Sequence, residues 1–313
     1  ASGISMDTSF PASIKKNPAM PSWQGKSKGS KTGFRIFVRV LRTAGVRPAY
    51  FLLRIVAFYY FLFSRRSSRH LYRYFHLRLG YPVIKSILNI YRNYFWFGQT
   101  IIDRIVLMAG IPHPFSFDFD GEQHLREMVA AKKGGLLLSA HIGNWEIAGH
   151  LLQRLNTRMN IVMYDGEQEQ IKAYLESVTG SRSARIILIR DDLSHIYAIQ
   201  DALQQNEFVC MHADRFMEGN KTVAGTLLNK KARFPAGPFL LANAFRVPVS
   251  FVFGMKETRF HYHFYASPPK SYPKPRPGEP VILDDFCKQM ESMVRKYPLQ
   301  WYNYYDFWEK EED

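Results

Sequence analysis

Cysteine is nearly absent: Cys210 and Cys287 are the only two in 313 residues, too few for a disulfide framework or a paired-thiol metal motif. That scarcity favours a reducing compartment, and Cys210, inside the apolar run Phe208 to Met211, reads as a small buried hydrophobe. There is no His-Glu-X-X-His and no Cys-X-X-Cys. His150, His195, His212, His261 and His263 are therefore not expected to form a metal set, and no metal is assigned. The Gly-X-Ser-X-Gly turn of serine hydrolases is missing, and so is a glycine-rich nucleotide loop. No signal-peptide cleavage pattern, internal repeat or low-complexity block beyond the N-terminal tail stands out.

Acidic side chains are also in deficit, 27 against 42 Lys and Arg, which leaves a formal charge of +15. A positive field of that size attracts anionic membranes, acidic proteins, phosphate-bearing molecules or nucleic acid. Distribution chooses among them. Lys26, Lys28, Lys31, Arg35, Arg39, Arg42, Arg47, Arg54, Arg65, Arg66 and Arg69 are interleaved with a strongly apolar segment, a combination that favours an anionic membrane surface. No helix-turn-helix, zinc or aromatic RNA-binding signature is present, so nucleic acid is not an expected partner.

Along the chain, residues 1–32 are rich in Ser, Gly, Lys and Pro and read as a tail or linker. Residues 33–111 read as an N-terminal helical region with a membrane-anchoring role. Pro48 to Phe63 is sixteen residues long with Arg54 in the middle, short of the ~20 apolar residues of a spanning helix. It fits half of a hairpin or a tilted helix at the interface. Tyr50, Tyr59, Tyr60 and the flanking Arg65-Arg66 suit headgroup depth, where aromatic rings and snorkelling guanidinium groups are favoured.

After Pro112 the texture changes, and residues 112–313 read as one α/β domain. Candidate strands are Gly134 to Ala140, Asn160 to Tyr164, Arg185 to Ile189, Phe208 to His212 and Val249 to Gly254, with Arg259 to Tyr265 a late antiparallel strand. Candidate helices lie near 121–131, 145–155, 168–179, 193–204, 238–245 and 282–296. The alternation predicts a mixed, mostly parallel sheet flanked by helices.

The chemistry concentrates at Ser139-Ala140-His141-Ile142-Gly143-Asn144-Trp145-Glu146. On one helix, at 100° per residue, His141 and Glu146 would diverge by roughly 140°. A strand ending near Ala140, a turn through Gly143 and Asn144, and a helix from Trp145 would instead let them meet. A histidine held in one tautomer by a carboxylate can take a proton from a hydroxyl or amine as that group attacks a carbonyl. On spacing alone, a core histidine beside an exposed glutamate is equally consistent.

This octet resembles the His-plus-four-plus-acid signature of the glycerolipid and lysophospholipid acyltransferase superfamily, and most of all its lipid A secondary acyltransferase branch. Three further blocks follow in order: Cys210 to Arg215 with its Asp-Arg pair, Phe234-Pro235-Ala236-Gly237-Pro238, and Pro298-Leu299-Gln300-Trp301. The resemblance spans about residues 45–308. It implies a membrane-associated acyltransferase on the cytoplasmic face of a bacterial inner membrane. The acyl donor would be acyl carrier protein or coenzyme A, the acceptor a lipid hydroxyl or amine, with no further cofactor. It also implies roles for residues. His141 is the base and Glu146 its orienting acid; Arg215, with Asp214, receives the oxyanion or holds the donor. Gly143 and Asn144 shape the turn, while Gly237 and Arg233 lie in a short basic turn that positions the acyl chain or acceptor. A catalytically idle lipid-binding scaffold of the same fold is the competing reading, and the intact His141 and Glu146 count against it.

Two departures bear on the acceptor. Many enzymes of this branch follow the Gln-Trp element with an Arg-rich stretch, whereas Tyr302-Asn303-Tyr304-Tyr305-Asp306-Phe307-Trp308 stands here, which points away from a bis-phosphorylated lipid A precursor. The superfamily's phosphate-binding block has an acidic residue before its glycine and Thr-Arg after it; Ala236 and Pro238-Phe239 stand instead, against direct recognition of glycerol phosphate.

Overall fold

The structure is a computed structural model and describes residues 39–108, 110–145, 147, 155, 157–164, 184–190, 192–272 and 281–309. Residues 39–44 are helical, and after a break at Gly45 come α1 (Val46–Phe63), α2 (Arg65–Arg73), which runs into a π-helical turn over Tyr74–Arg78, and α3 (Val83–Met108). There follow β1 (Ser116–Asp120), α4 (Glu122–Ala130), β2 (Gly135–Ser139), β3 (Met159–Tyr164), β4 (Ala184–Ile189), α5 (Ser194–Gln204) and β5 (Phe208–His212). The chain then forms β6 (Thr222–Leu227), β7 (Lys230–Pro235), α6 (Ala236–Phe245), β8 (Val249–Lys256), β9 (His261–Ala266), α7 (Val281–Lys296) and a 3-10 turn, Pro298–Gln300.

Seven strands make one sheet in the order β1-β9-β8-β2-β5-β3-β4. Every pairing is parallel except β8 with β9. The α/β class and the mostly parallel sheet follow the sequence reading, and the late strand is antiparallel to β8 as expected. β2 is buried at all five positions, which is why its sequence is a continuous apolar run rather than an alternation.

Three elements depart from the expectations. The sheet gains an edge strand, β1, from Ser-Phe-Asp-Phe-Asp, a short period-2 pattern whose aspartates lie on its more exposed side. β6 and β7 form a separate antiparallel hairpin, so the stretch expected as a short basic turn at Arg233 is strand up to Pro235, and α6 begins at Ala236. The hairpin turn places Leu228 and Asn229 both at positive φ, 52° and 61°. That conformation favours Asn-Gly or Asp-Gly, and Leu-Asn gave little local warning of it. The helix expected near 168–179 lies outside the described residues.

α1 packs on α3 through Ala49, Leu53 and Ala57. Gly98 of α3 permits the approach: a Cβ there would stand 2.3 Å from a Leu53 methyl carbon. The apolar core runs across the expected boundary near residue 112, joining Ala57, Leu71, Phe75 and Tyr94 with Leu136, Leu138, Val209 and Phe251. A buried polar cluster ties the same parts together. Lys256 Nζ of β8 reaches Asp103 Oδ2 of α3 at 2.5 Å and the Tyr50 hydroxyl of α1 at 2.6 Å, while the Tyr50 and Tyr262 hydroxyls both donate to Asp103. Neither charge of the pair is exposed, so each depends on the other for solvation.

Candidate active site

β2 and β5 are parallel neighbours with Ser139 opposite His212. The next bond continues that register, Ala213 N–H to Ser139 O at 2.9 Å. Two residues past each member of the pair come His141 and Asp214, side by side beyond the carboxyl ends of the strands, where open α/β sheets present their ligands. Asp214 is 1% exposed and grips His141 twice: its Oδ2 accepts the His141 backbone N–H at 3.0 Å, and its Oδ1 meets the ring Nδ1 at 2.7 Å. Burial pushes the Asp214 carboxyl up, but the attraction and hydrogen bond of His141, with Arg215 behind them, outweigh it and hold the group well below the usual carboxylate range. An ionised carboxylate can only accept. Nδ1 of His141 therefore carries the hydrogen, and Nε2 presents its lone pair.

The sequence reading assigned the orienting carboxylate to Glu146. Glu146 lies outside the described residues, and the carboxylate seen on the ring comes from Asp214, 73 positions away. The His212 ring stacks on His141 with centroids 4.2 Å apart, and Trp145 meets His212 edge-on at 4.9 Å. Burial and the neighbouring His141 lower the His212 pKa well below its ordinary value, which keeps that ring neutral. Sequence reasoning gave His212 no role in this site; its place at the end of β5, two residues before Asp214, was the available signal. Arg215 is largely buried, with a guanidinium N–H donating to Tyr302 O at 2.8 Å and its Nε unsatisfied among the described residues.

The turn after His141 is fixed from three sides. Gly143 has φ +70°, and a Cβ there would stand 2.0 Å from the Gly254 carbonyl oxygen, so glycine is required. Its N–H donates to Gln300 O at 2.8 Å, and Asn144 N–H donates to Gly254 O at 2.7 Å. The Asn144 side chain donates to Thr100 O and to the Tyr262 hydroxyl, linking the turn to the buried Lys256 cluster. The Gln300 side chain both accepts from Lys256 N–H at 2.9 Å and donates to Lys256 O at 2.7 Å, and Trp301 bridges to Ile142. The Pro-Leu-Gln-Trp element is therefore a clamp on the turn. Behind it, the aromatic segment that replaces an Arg-rich one is packed inward. Trp301 meets Phe307 and Trp308 edge-on, and Asp306 accepts from Arg73 of α2 at 3.1 Å.

An apolar cavity, open at one side, lies along one face of the sheet beside this cluster. Its walls include Leu137, Ser139, Trp145, Ile161, Cys210, His212, Val252 and Phe264, and its surface is almost wholly apolar. Burial pushes the Cys210 thiol up to about 12, so it lines the cavity as a hydrophobe, not as a nucleophile. A family model described as bacterial lipid A biosynthesis acyltransferase matches residues 88–309. The chain belongs to this family. As a member it is an acyltransferase, carrying out acylation of the lipid A type with a lipid as acceptor. Comparison with curated proteins returned no match.

Two expected site residues stand apart from the acyltransferase's histidine. Arg233 Nε donates to Glu309 at 2.7 Å, and no hydrogen bond or ion pair among the described residues links it to His141. Gly237 sits in the first turn of α6 with nothing within 4 Å of a built Cβ, so no close backbone approach demands glycine there.

Proposed function

We propose that the enzyme transfers a fatty acyl group from a thioester donor, acyl carrier protein or coenzyme A, to a lipid hydroxyl or amine, with His141 as general base and no covalent acyl-enzyme. The observation that carries this reading is the 2.7 Å contact of Asp214 with His141 Nδ1, which leaves Nε2 as the basic atom; the His212 ring stacked on His141 lines an apolar cavity. In the reaction Nε2 takes the acceptor's proton as its oxygen or nitrogen attacks the thioester carbonyl. The tetrahedral oxyanion collapses, the C–S bond breaks, and the imidazolium returns the proton to the departing thiolate. Asp214 stabilises the imidazolium between those steps.

Arg215 is the cation nearest the pair and serves the oxyanion. A donor of that kind is worth on the order of 2.7–4 kcal/mol in the transition state. The cavity takes the acyl chain: its apolar walls suit hydrocarbon, and His212 and Trp145 place one end of it against the reacting histidine. The positive charge of the chain suits an acidic carrier protein.

Association with the cytoplasmic face of the inner membrane is supported by the N-terminal helices. Phe51, Ile55, Phe58 and Leu62, spaced three or four apart, form a stripe on α1 that is 48–66% exposed, and Ile84, Ile87 and Leu88 of α3 are exposed as well. α1 has 18 residues, about 27 Å at 1.5 Å each, and its Arg54 is exposed rather than paired in the core. A helix lying at headgroup depth fits both facts.

The test is transfer of a labelled acyl chain from each donor to a lipid acceptor by the purified enzyme and by His141→Ala. A fall of at least a hundredfold is expected, and equal rates would remove the base assignment.

A further inference from the structure

At the opposite side of β9 from the catalytic turn, five titratable side chains converge on the β1–β9 edge of the sheet. His261 and His263 are two apart on β9 and so share a face, and Glu257 stands in the turn between β8 and β9. One donor atom from each of these three lies within 4.8 Å of the other two. Asp118 and Asp120 of β1 pair in register with His263 and Tyr265 and complete the ring of acids. From this arrangement we infer that Glu257, His261 and His263 form a binding site for a divalent transition-metal ion of the zinc class. The site is separate from the acyl-transfer machinery and pins the sheet edge to the β8–β9 turn.

The ring nitrogens of both histidines are turned toward carboxylates. His261 Nδ1 lies 2.8 Å from Ser116 Oγ, a hydroxyl that can accept from the ring or donate to it. Its Nε2 lies 3.9 Å from Glu257 Oε2 and 3.5 Å from Asp118 Oδ2. His263 stands between two carboxylates, Nδ1 3.3 Å from Glu257 Oε1 and Nε2 3.2 Å from Asp120 Oδ2. Nε2 is buried and makes no hydrogen bond among the described residues. A neutral imidazole carries one hydrogen, so one lone pair of the His263 ring faces an anion. That contact is repulsive until a cation lies between them.

Two imidazoles and a carboxylate are a donor set for zinc or a similar first-row ion, with a fourth position open to Asp118 or water. Metal-bound histidines usually turn their other ring nitrogen to an oxygen acceptor, and the Ser116 hydroxyl, 2.8 Å from His261 Nδ1, can serve as one. Bonds of 2.0–2.1 Å in a tetrahedron set donors about 3.3–3.4 Å apart. The 3.3 Å edge already has that length, and the 3.9 Å edge closes with a small side-chain rotation. Glu257 is also held from behind, accepting from the Tyr297 hydroxyl at 2.6 Å and the Tyr265 hydroxyl at 3.1 Å, while the Tyr265 ring stacks on His263 at 4.4 Å. The sequence reading, which looked for histidines on a helix or thiols in pairs, had no template for an i, i+2 pair on a strand.

The experiment is calorimetric titration of the tag-free full-length enzyme, stripped with a chelator, with zinc alone. Thermal unfolding is followed in parallel with and without zinc. The expected result is one tight equivalent and a zinc-dependent rise in Tm, both lost in His261→Ala and His263→Ala and both kept in His141→Asn. Ser116→Ala, which leaves every proposed ligand in place, should weaken binding about 10–100-fold and keeps the test decisive if a histidine variant folds poorly. Cobalt(II) in place of zinc should show visible d–d bands that vanish in His263→Ala. Zinc binding that survives both histidine variants, binding that His141→Asn abolishes, or no binding at micromolar zinc would overturn the inference. The last outcome would mean that protons alone neutralise the cluster.

Discussion

Replacing Asp214 by Asn separates the two carboxylates that could orient His141. In the structure Asp214 Oδ2 accepts the His141 N–H and Oδ1 faces the ring Nδ1. Asn keeps the size and the acceptor for the backbone N–H, but it turns an amide N–H₂ toward Nδ1. The ring then answers with the tautomer that carries hydrogen on Nε2, and no lone pair remains to take the acceptor's proton. The imidazolium also loses its counter-charge. Removing a positioned base costs a factor of about 10²–10⁴, or roughly 2.7–5.4 kcal/mol at 1.36 kcal/mol per decade. The loss should fall on kcat and kcat/KM alike, because the interaction matures with the charge on the ring. The assay is steady-state transfer of a labelled acyl chain, with Glu146→Gln measured beside Asp214→Asn and circular dichroism confirming the fold of both. Asp214→Asn within threefold of the parent, together with a hundredfold loss in Glu146→Gln, would refute the reasoning and return the orienting role to Glu146.

Three other outcomes follow from the geometry. Gly143→Ala should lower Tm and cost at least ~2 kcal/mol, since it combines a left-handed backbone with a 2.0 Å approach to Gly254 O; Gly237→Ala, with open space at its Cβ, should stay within about 0.5 kcal/mol in the same denaturant melts. Lys256→Met alone strands the buried Asp103 and should cost about 3–5 kcal/mol, whereas the double change with Asp103→Leu should recover a large part of it, a coupling that a double-mutant cycle reads directly. Stability should fall as pH drops below about 6.5. The folded pKa of His212 lies below its unfolded value, so the unfolded chain binds the proton first, with a slope of up to about 1.4 kcal/mol per pH unit per such histidine. Asp214 acts lower: its contribution is present above about pH 4 and is lost as pH falls further toward its depressed folded value. Equilibrium melts from pH 7.5 to 5 in parent and His212→Gln test the first part, and an unchanged slope in the variant would show that His212 is not the group responsible.

What the sequence determined by itself was local or periodic. An unbroken apolar run announces a strand covered on both faces, the alternation of such runs with amphipathic stretches announces a parallel α/β sheet, and a histidine just past β2 with Gly-Asn behind it announces a tight turn at a strand's carboxyl end. The ordered blocks at His141, Asp214, Phe234 and Gln300 pointed to the acyltransferase family that matches residues 88–309. What the tertiary structure decided was pairing between distant positions. Asp214 meets His141 because the register of β2 against β5 puts Ser139 opposite His212, and register is a property of two strands, never of one segment. The same applies to the Gln300 clamp, to the Lys256 cluster reaching Asp103 and Tyr50, and to the convergence of Glu257, His261 and His263 beside Asp118 and Asp120. Periodicity tells each strand which face to bury. The packing of all the strands together decides which side chains then stand within hydrogen-bonding distance.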